Sequence, residues 1–124
     1  MSSRVISASE NLTARQILGF TSRANAVPMK ELNAGTIIPY AGHILQEITN
    51  ENTGEVFESL LIISEPDDAG EKKLFATRSD SVKKALTEII TTLKEMGDND
   101  PFSVKVEKLK SKAGREFITV SLSE

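Results

Sequence analysis

The residue types that could do chemistry in this chain are few, and they favour binding over catalysis. His43 is the sole histidine and there is no cysteine. A Ser-His-Asp relay or a multi-histidine metal site therefore lacks visible parts, and thiolate chemistry is excluded. His43 reads as a strand histidine bonded to backbone or water. The runs Asp67-Asp68 and Asp98-Asn99-Asp100 could bind a hard cation, yet both fall in turns, where Asp and Asn serve the backbone. No G-x-x-x-x-G-K-[ST] and no G-x-G-x-x-G occurs, so neither familiar phosphate cradle is present. The expectation is a protein without catalytic residues, metal or cofactor.

What remains is an arrangement of cations and rings. Lys105, Lys108, Lys110, Lys112 and Arg115 surround a turn, and Arg115 stands two residues before Phe117, which on a strand puts both on one face. A cation beside an outward ring can hold a phosphate while the ring stacks a base. Tyr40, Phe57 and Phe75 come from three other extended runs, with Arg78 just past the last. Aromatics make up only 5% of the chain, so each ring matters. The expected nucleic-acid-binding set is Tyr40, Phe57, Phe75, Arg78, Lys105, Arg115 and Phe117, gathered on one outer face. Phe102 is assigned to the core.

These residues need elements to hold them. From Ser79 to Gly97 the apolar residues Val82, Ala85, Leu86, Ile89, Ile90, Leu93 and Met96 follow a 3.6-residue period. The spacing predicts a helix over 81–96 that buries Leu86, Ile89, Ile90 and Leu93, with a serine cap before it and Gly97 after it. Three strands are expected before it. Thr36 to Thr49 is bent by Pro39 and Gly42; Glu55 to Ser64 follows the turn cluster Asn50 to Gly54; Lys72 to Arg78 follows the turn 65–70. Two strands come after it, with Phe102, Val104 and Val106 alternating in the first and Ile118, Val120 and Leu122 forming the inward set of the second.

That order, three strands, a helix and a closing hairpin, is the order of the OB-fold, a mainly β five-stranded antiparallel barrel with its helix between strands three and four. A helix lying on an open α+β sheet is the rival architecture. Residues 1–35 are expected to form an extension packed on the barrel, and residues 36–124 the OB-fold domain. Within the extension, residues 1–10 read as a frayed end or short edge strand. Thr13 caps a short helix carrying Ile17, Leu18 and Phe20, and Met29 to Leu32 forms a further turn.

At 124 residues the chain suits one domain. Hydrophobic residues at 39% and charged residues at 27% are ordinary for a soluble protein. The first ten residues lack the apolar centre of a signal peptide, and no run approaches a membrane span, so the cytoplasm is the expected location. The net charge of −3 hides a segregation: residues 36–70 hold seven acids and no Lys or Arg, while residues 71–124 hold eleven bases against nine acids. The acidic hairpin supports a second function, a protein-interaction module for a basic partner.

Two stretches carry a family likeness. Ser111-Lys112-Ala113-Gly114-Arg115-Glu116-Phe117-Ile118-Thr119 resembles the closing hairpin of small single-stranded-DNA-binding proteins from phages of Gram-positive bacteria, the kind used in protein-primed replication. Phe75-Ala76-Thr77-Arg78-Ser79 resembles the strand-to-helix join of the same group, and the likeness extends loosely from Gly35 to Leu122. The resemblance implies an OB-fold that coats and protects single-stranded DNA without sequence preference, during phage-type replication or recombination. Its partners would be single-stranded DNA and replication proteins, with no membrane, as a monomer or dimer.

Overall fold

A computed structural model describes residues 2–22, 26–65 and 73–123. Among them the chain is mainly β, with seven strands, two α-helices and one 3-10 turn. In order these are β1 (Ser2–Ala8), α1 (Ala14–Thr21), β2 (Val27–Pro28), the 3-10 turn Met29–Glu31, β3 (Ile37–Thr49), β4 (Val56–Ser64), β5 (Leu74–Thr77), α2 (Asp80–Glu95), β6 (Ser103–Lys110) and β7 (Glu116–Ser123). The run β3-β4-β5-α2-β6-β7 reproduces the expected order and agrees with an OB-like fold. The strand count does not: β1 and the short β2 raise it from five to seven, and α2 lies between the fifth and sixth strands, with α1 as a second helix. Residues 66–70 and Lys72 of the expected third turn and strand lie outside the described residues. No described helix is long and apolar enough to cross a membrane.

The chain divides into two compact units. The first comprises Met1–Met29 and Ala41–Arg78. Its strands follow the order β2-β5-β4-β3, with β1 also on β3. Residues 1–10, which read as frayed or a short edge, form seven residues of strand paired antiparallel to β3 from Ser2↔Thr49 to Ala8↔Ile44, with a register shift between Val5 and Ser7. The first helix begins as expected: Thr13 accepts from the Gln16 amide, and the Gln16 side chain accepts from the Thr13 N–H, a reciprocal cap. Phe20 then joins Ile44, Leu61, Ile63 and Leu74 in one buried cluster, with Ile17 packed against it.

Gly42, expected to mark a bend, answers to a close approach. A Cβ there would lie 2.9 Å from Ser9 Oγ and 3.3 Å from a Leu12 methyl. Ser9 needs that position because its hydroxyl accepts the His43 N–H at 3.1 Å while its own N–H donates to the His43 carbonyl at 3.0 Å.

The second unit comprises Lys30–Tyr40 and Ser79–Glu124. The first residues of β3 pair with β6 (Ile37↔Lys105, Ile38↔Val104, Pro39↔Ser103), and β6 pairs with β7 over eight residues. Ser79 caps α2, accepting the Val82 N–H and donating to the Ile118 carbonyl of β7. Only the front half of the helix face is fully buried, through Val82 and Leu86. Ile89, Ile90 and Leu93, expected in the interior, are half-exposed and Met96 is 79% exposed. The apolar stripe outruns the strand surface that it packs on, which is chiefly β7. Leu122 is likewise 41% exposed, although Val120 of the same inward set is buried.

Candidate nucleic-acid interface

Pleat and register decide which side chains can meet. In the second unit, strand pairing puts Tyr40, Ile38, Val104, Leu122, Val106 and Val120 on one face, and Ile37, Lys105, Ser121, Leu109 and Phe117 on the other. The first face holds the buried residues Ile38, Val104, Val106 and Val120. Tyr40 belongs to it. Its ring stacks on Phe102 with centroids 4.7 Å apart and planes 18° apart, and its N–H donates to the Phe102 carbonyl. Tyr40 and Phe117 therefore occupy opposite faces of this unit.

The second face is open and mixed in character. Phe117 lies directly across from Leu109, 37% and 46% exposed, and Lys105 sits between Ile37 on one side and Ser121 on the other. Leu109 is four steps along the strand from Lys105, a reach of roughly 13 Å. Arg115 stands at the hairpin turn. The Ser111 N–H donates to the Arg115 carbonyl and the Arg115 N–H to the Ser111 hydroxyl, while Gly114 takes the left-handed φ of 81° that closes the loop. Among the described residues neither Lys105 nor Arg115 forms an ion pair. Glu107, the one acid on the face, accepts from the Ser121 hydroxyl at 3.1 Å. Ile37 and Leu109 were not in the expected set. Their signal was alternation: Ile38 and Lys108 share the inward parity, so the neighbouring apolar residues must face out.

The first unit contributes a different arrangement. The Arg78 guanidinium lies 3.7 Å from the centroid of the Phe57 ring, and its nitrogen is 3.0 Å from Glu55 Oε1. Phe57 is half-exposed and both charged groups are open to solvent. Phe75 pairs with Ile62 and is 8% exposed, because β4 and β5 are covered on that face too; it is an interior ring. The acidic hairpin is also less bare than its sequence suggested. Two of its acids receive charges from outside the segment, Glu47 from Arg4 at 3.3 Å and Glu55 from Arg78. Asp67 and Asp68 lie outside the described residues.

His43 sits half-buried on β3, and burial lowers its pKa from the ordinary 6.5. It stays neutral at pH 7, while its main-chain N–H and carbonyl pair with Ser9.

Of the seven expected residues, the fold brings Lys105, Phe117 and the turn residue Arg115 together in one unit, and Phe57 with Arg78 in the other. Comparison with known proteins gives these groupings a context. A family model for phage single-stranded DNA-binding protein, of the phi29 type, matches residues 5–123. The chain belongs to this family. No curated protein and no solved structure gives a match. Membership names the partner class, single-stranded DNA, and the match takes in both units, including the second half of β1 and all of α1, which the short motifs of the sequence did not reach.

Proposed function

We propose that the protein coats single-stranded DNA without sequence preference and protects displaced strands during phage-type replication, acting by binding alone. The observation that supports this most is the open face of the second unit, where Phe117 and Leu109 form an exposed apolar platform with Lys105 on the same face and Arg115 at its end. A base of any kind can lie on such a platform because every base has a π-face, and cations beside it hold the backbone by charge alone. Neither contact reads a base edge. Phe57 and Arg78 supply a second stacking point, since a base can stack on a guanidinium plane as well as on a ring. In this reading Tyr40, stacked on Phe102 on the opposite face, and the interior ring Phe75 are not contact residues.

The test compares affinities for oligo-dT, a mixed-sequence oligonucleotide and duplex DNA of equal length. The two single strands should bind alike and the duplex much more weakly, and a saturated single strand should resist nuclease. Equal binding to duplex would sink the proposal.

A further inference from the structure

The Phe57-Arg78-Glu55 group contains more than a DNA contact needs. Phe57 alone would orient the guanidinium, as a planar cation 3.7 Å above a ring is held in plane by dispersion and by the ring quadrupole. Glu55 adds an oxygen anion at 3.0 Å, a distance and a charge that a backbone phosphate oxygen would also bring. The carboxylate is presented from a fixed base. The Glu55 N–H donates to Thr53 Oγ1 at 3.2 Å, and its carbonyl accepts the Asn50 N–H at 2.8 Å, both within the β3-β4 turn. The two side chains are 58% and 56% exposed, so an incoming strand can reach both.

We propose that Glu55 is an intramolecular stand-in for a DNA phosphate on Arg78, and that single-stranded DNA engages Arg78 by displacing it. The inference rests on the reading of this surface as DNA-binding. Its physical consequence concerns salt. A free arginine that takes a phosphate releases the phosphate's condensed counterion, and each such contact steepens the salt dependence on single strands by about 0.7 in log K against log salt. At Arg78 the exchange frees Glu55, whose charge recruits a cation in turn, so the net release is small. The contact retains its geometry and contributes little to either affinity or salt slope. Lys105 and Arg115, which have no such acid among the described residues, contribute in full.

The experiment titrates the full chain, Glu55→Gln, Arg78→Gln and the double variant with oligo-dT over a series of salt concentrations. Glu55→Gln should bind about 1.5- to 5-fold more tightly at the lowest salt, the range set by one exposed ion pair, with a slope steeper by about 0.7. In the Arg78→Gln background the same change should leave the slope where it was. A steeper slope that persists without Arg78 would overturn the proposal, because removing any acid would then suffice. Unchanged binding by Glu55→Gln, with the unaltered chain binding normally, would overturn the stand-in role alone. Failure of the unaltered chain to bind oligo-dT would overturn the functional reading itself.

Discussion

Both units pair an aromatic ring with a cation, but in opposite states of readiness. In the first, Arg78 is stacked on Phe57 and already neutralised by Glu55. In the second, Phe117 is backed by Leu109 across the strand pair, and Lys105 and Arg115 carry their charge without a paired acid among the described residues. The same two residue types thus give a preassembled, charge-compensated contact in one place and an open, charged platform in the other. The difference lies in the neighbours. Glu55 follows a tight turn that aims it at Arg78, whereas the acid nearest Lys105 on its face, Glu107, accepts from Ser121.

The contrast requires the second unit to stay folded around α2, and the largest effect should come from testing that. Leu86→Ala is expected to cost about 2 to 5 kcal/mol by chemical denaturation, the range for truncating a buried aliphatic. Ile89→Ala, at a half-exposed position, should cost distinctly less. If the two cost the same, α2 buries its apolar stripe evenly along its length and not chiefly through its first half.

Stacking comes next. Phe117→Ala should weaken oligo-dT binding by about 1 to 3 kcal/mol at every salt concentration, with the salt slope nearly unchanged and the unfolding midpoint little moved, since the ring is 37% exposed. Should this variant unfold instead, Phe117 is a structural residue and the platform is lost from the comparison. Arg115→Ala should act mainly at low salt and flatten the slope by about 0.7, while Arg78→Ala, already compensated, should flatten it much less. Equal flattening by both would erase the distinction between the two patches.

The smallest effect separates the units by pH. His43, the sole histidine, belongs to the first unit, and its pKa when folded lies below the 6.5 of the unfolded chain. Between those values the unfolded chain binds more protons, so stability rises with pH there. The contribution is complete above 6.5 and is lost as pH falls through the folded value. Thermal unfolding of the wild type should weaken from neutral pH into this acid range, and His43→Asn should remove that part of the slope.

Much of this molecule was decided locally. The 3.6-residue spacing from Val82 to Met96 and the serine before it dictate α2, Thr13 starts α1, and the Asn50 to Gly54 and Ser111 to Gly114 clusters turn the two hairpins, because period, capping and turn chemistry act between near neighbours. The alternation in β6 and β7 likewise placed Lys105 and Phe117 on an outer face. β1 was not legible in full, since a strand with so little to bury is held by its pairing to β3 and not by its own pattern. Tertiary structure alone decided that Tyr40 turns to Phe102, that Phe75 is interior beside Ile62, that α2 buries only half its stripe, and that Arg78 meets Glu55 over Phe57. The burial of α2 depends on how much of β7 lies beneath it. The others depend on register between residues far apart in the chain, and a shift of one residue would send every side chain of a strand to the opposite face.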